Sequence, residues 1–381
     1  MEEVATSKSH RALFLNTLAF TVCFAAWMMN GVLVTFLSTN RVFDWGPVEI
    51  GWLMGIPVLT GALFRLPAGI LTDKYGGKPI YAGLLFFCAI PMYLLSTAET
   101  FWEFALYSAG FGMAGVSFSI GIAFSSVWYP PQRQGTALGI FGAGNAGAAL
   151  TTLFAPTLLN YLTNDASDLE GWRSLPIYYA AMFIVMGIIF LIFSENKKPA
   201  HTPPDLAGML RPLRDIRVWR FGMYYFLVFG CFVAFSQWLV PYFVNVYYLP
   251  LVTAGILASL FSLPSGVIRA AGGWMSDAWG ARQVMYWVLG LSVAISFMLV
   301  IPKMEIYSPG EGILAQRPGV VTEVTETRIV VDDQVYQLKL REKDFNALDD
   351  SIVVFPTKDT LQEALVEVGQ KVGRRELLAK G

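Results

Sequence analysis

Charge is scarce in this sequence: of 381 residues, only 14% are Asp, Glu, Lys or Arg. Soluble domains average about 25%, so an ordinary solvated globule is excluded. Cysteine is scarce too. Cys23, Cys88 and Cys231 all fall in apolar stretches and read as small packing residues that say nothing of redox compartment. His10 and His201 lie far apart in polar segments, so no metal site is expected from them. No nucleophile, metal-ligand or phosphate-loop motif appears. Catalytic residues, metals and cofactors are therefore not expected, nor is an enzyme.

What is abundant is apolar surface in long blocks. The chain is 55% hydrophobic, with a mean hydropathy of +0.52. A membrane span needs about 20 mostly apolar residues. Nine blocks meet that need: 12–38, 49–72, 79–98, 101–128, 135–160, 176–194, 219–247, 252–276 and 283–301. The first is too long for a signal-peptide core and is followed by further spans, so it reads as the first helix. With the N-terminus inside, the inner loops hold Lys8, Arg11, Lys74, Lys78, Arg133, Lys197, Lys198, Arg211, Arg214, Arg217, Arg220 and Arg282. The short outer loops hold only Arg41 and Arg173. The positive-inside rule thus predicts a cytoplasmic N-terminus, and the membrane expected is the cell inner membrane.

Six spans (1–194) precede a Pro-rich, basic linker at 195–218, expected on the cytoplasmic side; three more spans fill 219–301. An ungapped repeat ties the two parts together. Segment 49–78 lies over 253–282 at an offset of 204, matching Gly51 with Gly255, Arg65 with Arg269 and Gly69 with Gly273. Asp73, Gly76 and Lys78 likewise meet Asp277, Gly280 and Arg282. Repeated halves around a central basic loop are a transporter architecture. Residues 302–381 contain no further span and are expected outside the membrane, on the periplasmic side. Within them Gly319–Val324, Thr327–Val331 and Val335–Arg341 read as short strands, the last two joined by a turn at Asp332-Asp333-Gln334, and 358–378 reads as helical. The fold class expected is an all-α membrane protein with a small β-containing soluble C-terminal segment.

Arg65 lies within the second span, in Gly61-Ala-Leu-Phe-Arg-Leu-Pro-Ala-Gly69. An arginine there costs roughly 2.5–3.5 kcal/mol on insertion scales, so it faces a cavity or a partner. Asp73 is eight residues on, about 12 Å along a helix, too far to pair directly. Arg269 occupies the matching place in the second half. Two guanidinium groups with no acid at their depth call for an anion, and the planar arginine fork suits a planar oxyanion. No Asp or Glu lies deep in any of the nine spans. Proton-coupled carriers usually place such a group in the path.

Two further patterns carry a resemblance. Gly69-x3-Asp73-Lys74-x-Gly76-x-Lys78 closely resembles the loop motif of the major facilitator superfamily; physically, it is a tight glycine turn with acid–base pairing that latches one side. Its partner residues in the second half are Asp277 and Arg282. The fifth span reads Gly142-Ala-Gly144-Asn145-Ala-Gly147 and follows Trp128-Tyr-Pro-Pro-Gln-Arg-Gln-Gly135. Together with Arg65 and Arg269, this run resembles the NarK-type nitrate/nitrite porters over about residues 10–301.

The resemblance implies roles residue by residue. Arg65 and Arg269 would grip the anion from the two halves. Tyr225 would donate a hydroxyl hydrogen bond. Phe118 and Phe229 would sandwich the flat anion, and Asn145, Gly142 and Gly144 would line the site. With 28 Phe and 16 Tyr in the chain, spacing alone could not select those aromatics. The implied function is nitrate/nitrite transport by alternating access, as exchange. Proton-coupled nitrate uptake, a different small anion, and a non-transporting fragment of such a carrier stay open. The family pattern has twelve helices, three more than the nine read here. The partners expected are nitrate, nitrite and the lipid bilayer, with no nucleic acid and a monomeric carrier.

Overall fold

A computed structural model describes residues 6–164, 166–199, 208, 210–247, 249–300, 312–325, 327–338, 362–373 and 376–380. Among the described residues, nine helices are long and apolar enough to cross a membrane. They are α1 (Ser7–Thr39), α2 (Pro47–Tyr75), α3 (Gly77–Leu95), α4 (Phe101–Ser126), α5 (Pro131–Leu162), α6 (Leu169–Phe193), α7 (Ile216–Asn245), α8 (Leu251–Trp279) and α9 (Ala281–Met298). The protein is a multi-pass membrane protein of mainly helical fold. Hydrocarbon offers the backbone no partner, so each apolar run satisfies its own amides as helix. Capping boxes start two of the helices: Thr6 with Ser9 at α1, and Thr100 with Glu103 at α4.

Several spans are broken at mid-depth. The α2 helix is interrupted at Phe64, just before Arg65. Pro67 adds to the break, since its missing N–H leaves a carbonyl one turn earlier unpaired. Tighter 3-10 turns interrupt α4 at Met113–Val116 and α5 at Ala143–Asn145. Buried side-chain donors on α1 tie it to α2 and α4. Asn16 donates to Gly121 O (2.8 Å) and Ser125 Oγ (2.6 Å), and Asn30 to Leu53 O (2.8 Å) and Ser108 Oγ (3.0 Å). Trp27 Nε1 donates to Pro57 O at 2.7 Å. Such bonds and small residues hold helices together where lipid removes the hydrophobic drive.

The repeat read from the sequence has a backbone counterpart. Gly76 and Gly280, 204 residues apart, have φ of +89° and +90° at the ends of α2 and α8. A side chain is strained in that region, so glycine belongs at both turns.

The chain forms two compact units. One comprises Met1–Pro241 and Leu251–Leu291, the other Tyr242–Pro250 and Ser292–Gly381. Among the described residues of the second, seven short strands make two sheets: β1 (Ile313–Leu314), β2 (Gly319–Val324), β3 (Arg328–Val331), β4 (Gln334–Gln337), β5 (Glu363–Ala364), β6 (Lys371–Val372) and β7 (Leu377–Lys380). Their orders are β1-β7-β5 and β4-β3-β2-β6, around a core that includes Val321, Ile329, Tyr336 and Leu378. The first two expected strands are present. The third begins at Gln334 and ends at Gln337, and 339–341 lie outside the described residues. The helix expected over 358–378 is a correction: the described part holds β5, β6 and β7. Pairing of β6 with β2 and of β7 with β1, more than fifty residues earlier, overrides the local pattern there, and β5 pairs with β7.

Candidate anion site

Arg65 emerges at the break in α2. Its Nε donates to the carbonyl of Gly115 (3.3 Å), in the 3-10 turn of α4, and its Nη1 donates to Tyr225 Oη (3.3 Å), on α7. Three rings surround the guanidinium: Arg65 Cζ lies 5.1 Å from the centroid of Phe229, 5.5 Å from Phe118 and 5.8 Å from Trp27. Arg269 comes from α8. In the amide orientation that turns its oxygen toward the guanidinium, Asn145 Oδ1 lies 2.7–2.8 Å from Arg269 Nε, Nη1 and Nη2. Arg269 Cζ lies 5.2 Å from the Phe232 ring and 5.5 Å from the Phe229 ring.

Phe229 therefore contacts both guanidinium groups, one from each repeat. Among the described residues neither arginine has an acidic partner. Neutral acceptors and ring faces orient the two cations without cancelling them. The net positive charge is left for an anion. A cavity of about 560 Å³ adjoins Arg65, Tyr225 and Phe229 and is otherwise lined mainly by apolar side chains, with Gln237 among the lining residues.

The expected aromatic sandwich is closed. Phe118 and Phe229 stack on one another with centroids 5.4 Å apart and planes 24° apart, and Tyr225 stacks on Phe229 at 4.8 Å. A flat anion between two rings needs roughly 7 Å, twice a contact of about 3.5 Å. The rings must part by about 1.5 Å to admit one.

The glycines of α5 divide between two faces. A Cβ at Gly142 would lie 3.3 Å from Arg269 Cδ, so this glycine borders the site. At Gly144 it would lie 2.6 Å from Phe20 on α1, so this glycine packs away from the arginines, against the expectation that it lines the site. Residues two apart on a helix point to nearly opposite sides, which explains the split.

Residues 17–308 match the Major Facilitator Superfamily. A protein of Thermus thermophilus named "Probable nitrate/nitrite antiporter NarK1" is 44% identical over 304 residues, covering 78% of this chain and 68% of that one. The chain belongs to the Major Facilitator Superfamily, in its NarK-type nitrate/nitrite porter branch. The "Probable nitrate/nitrite transporter NarK2" of Mycobacterium tuberculosis is 30% identical, over 78% of this chain and 74% of that one. The "Nitrite extrusion protein" of Bacillus subtilis is 27% identical, over 82% and 77%. Among solved structures, an inward-facing bacterial homologue of the lysosomal transporter Spinster matches with a TM-score of 0.56 at 17% identity. That match covers 73% of this chain and 63% of the solved one, and shows the shared fold.

The loop motif of this superfamily member is built differently from the acid–base latch expected. Among the described residues, Asp73, Lys74 and Lys78 form no ion pair. Lys74 Nζ lies over the Tyr75 ring, 5.3 Å from its centroid. The turn is closed instead by Asn196, after α6. Asn196 Nδ2 donates to Tyr75 O (3.0 Å) and Lys78 N donates to Asn196 Oδ1 (3.3 Å). Beside it, Glu195 pairs with Lys8 and Arg11 at the start of α1, and Lys197 Nζ lies 5.1 Å from the Trp128 ring centroid. Asparagine 196 carried no signal in the sequence, because its partners are backbone atoms of a distant turn.

In the second half, Asp277 accepts from Gly135 N (2.9 Å), Thr136 N (2.7 Å) and Thr136 Oγ1 (2.7 Å). Its charge faces the amino-terminal end of a helical segment of α5 (Gln134–Gly142), where free N–H groups favour an anion. A backbone dipole, not a basic side chain, meets this acid. Arg282 is exposed and enters no ion pair among the described residues. The same seam is glycine-tight: a Cβ at Gly273 would lie 2.1 Å from Gly135 O, and one at Gly255 would lie 2.1 Å from Thr152 O. The matched glycines of α2, Gly69 and Gly51, have nothing within 4 Å. His10 Nδ1 hydrogen-bonds Tyr129 Oη at 3.2 Å, and His201 lies outside the described residues.

Proposed function

We propose that this protein carries nitrate and nitrite across the cell inner membrane by alternating access, exchanging one for the other. Arg65 and Arg269 bind the anion, Tyr225 donates to it, and Phe118 and Phe229 close over it. Asn145 holds the Arg269 fork in place. Asp277, with the α5 amides it accepts from, latches the side that carries the N-terminus, which is cytoplasmic. The observation that carries the reading is the shared ring: Phe229 lies against two arginines that come from matched positions in the two halves and have no acid between them.

Exchange follows from charge. An empty site holding two unpaired arginines is costly to carry through a closed state, because burial penalises an uncompensated charge. A bound anion lowers that cost, so return with nitrite is favoured over empty return. The carrier works as a monomer.

The test is nitrate/nitrite counterflow in proteoliposomes, with Arg65→Lys and Arg269→Lys beside the parent. Lysine keeps the charge but loses the two parallel N–H donors. One charge-assisted hydrogen bond is worth about 1.5–3 kcal/mol, so anion affinity falls about ten- to a hundredfold. Uptake that follows an imposed pH gradient with no need for internal nitrite would reject exchange in favour of proton coupling.

A further inference from the structure

The segment leading into α7 is the most basic part of the described chain, and the anion site does not use it. Arg211, Arg214, Arg217 and Arg220 recur every third residue and are all exposed. Arg211–Arg214 is a 3-10 turn, in which residues three apart eclipse, so its two arginines share a face. Arg217 and Arg220 lie in the first turns of α7, where residues three apart are again neighbours.

The only acid between Leu210 and Arg220 is Asp215. Its Oδ1 accepts from the backbone N–H of Arg217 at 2.9 Å, so it caps the helix start. Among the described residues, none of the four arginines takes an ion-pair partner. The platform is pinned as well. Trp219 Nε1 donates to Leu213 O at 2.8 Å and ties the 3-10 turn to the helix. The helix long and apolar enough to span begins at Ile216, which puts the four arginines at its end, where headgroup depth is expected, and the exposed Leu213, Ile216 and Trp219 give them apolar neighbours.

We propose that Arg211, Arg214, Arg217 and Arg220 form a docking face for anionic phospholipid headgroups at the start of α7. Four unpaired forks on a pinned turn complement phosphate oxygens, which arginine binds with two parallel hydrogen bonds. Zwitterionic headgroups present a cation beside the phosphate and gain less. Tyr225 and Phe229 follow Arg220 by about 8 and 14 Å along the same helix. A lipid held at its end therefore sets the axial position of two proposed site residues. That consequence rests on the proposed function, but the lipid face does not.

The experiment is lipid retention, measured by native mass spectrometry after reconstitution in equal parts phosphatidylcholine and phosphatidylglycerol. The parent chain is expected to keep phosphatidylglycerol selectively. The pairs Arg211→Gln with Arg214→Gln, and Arg217→Gln with Arg220→Gln, are each expected to lose it severalfold, with phosphatidylcholine unchanged. Lys197→Gln with Lys198→Gln, basic on the same side, should retain it as the parent does. Equal retention in parent and arginine variants overturns the proposal, as does an equal loss in the lysine control. Should an arginine pair fail to insert, added salt on the parent decides: screening must release phosphatidylglycerol before phosphatidylcholine, and salt-independent retention overturns the site. Neither readout needs transport, so a chain that fails to move nitrate can still pass or fail here.

Discussion

Gly273→Ala should open the latch side of the carrier, whereas Gly69→Ala at the matched position should not. The new Cβ at 273 would meet Gly135 O at 2.1 Å, and Gly139 Cα at 3.0 Å. Both are backbone atoms of α5 and cannot rotate aside. A carbon–oxygen contact needs roughly 3.3 Å, so α8 and α5 must part by about 1 Å at that level. Overpacking of this kind costs about 1–3 kcal/mol, which lowers the closed population about five- to a hundredfold. The control at Gly69 has nothing within 4 Å. Both substitutions gain the same helix propensity, about 1 kcal/mol, so that effect cancels. The assay is labelling of Ala137→Cys, a position 2% exposed on α5, by an impermeant maleimide in inside-out vesicles. The background is the same chain without that cysteine. Gly273→Ala should label faster and exchange more slowly, and Gly69→Ala should behave as the parent. Parent-like labelling in Gly273→Ala, or equal damage from Gly69→Ala, would refute the seam as the gate.

Asp277→Asn keeps the size but removes the charge facing α5, at a cost of about 1–3 kcal/mol. It should speed the same labelling, while Asp73→Asn, which has no hydrogen-bond or ion-pair partner in the described structure, should not. Gly76→Ala forces a side chain into φ +89° and toward Asn196 Oδ1. It should lower the thermal midpoint by about 1–2 kcal/mol equivalent, and combining it with Asn196→Ala should be less than additive, since part of the damage is that clash. Glu195 has its carboxyl held below the ordinary 4.5, first by the Lys8 hydrogen bond and then by the Lys8 and Arg11 charges. Because its pKa is depressed on folding, the tie is whole above the ordinary value and is lost as pH falls through the lowered one. Proteolysis near the start of α1 should rise in that acid window, and Glu195→Gln should abolish the pH dependence.

Much of this protein is decided by sequence because lipid is an unforgiving solvent. An apolar run of about 20 residues can satisfy its amides only as helix, so nine spans follow from composition and length. Repeat and charge add two more facts. The frame shared by 49–78 and 253–282 foretells the paired glycine turns, and two arginines without acids foretell a positive site. Spacing along one helix does not say which neighbour each face meets. That Gly142 borders Arg269 while Gly144 packs on Phe20 depends on the rotation of α5 between α8 and α1. That Phe229 touches both arginines depends on where α7 crosses α2 and α8, and nothing local separates it from 27 other phenylalanines. Asn196 and Asp277 bind backbone amides and carbonyls, which no side-chain pattern advertises. The strands β6 and β7 form through β2 and β1, more than fifty residues distant, and β5 through β7. The solvent dictates each element from its own residues, whereas only the packed chain dictates which elements meet.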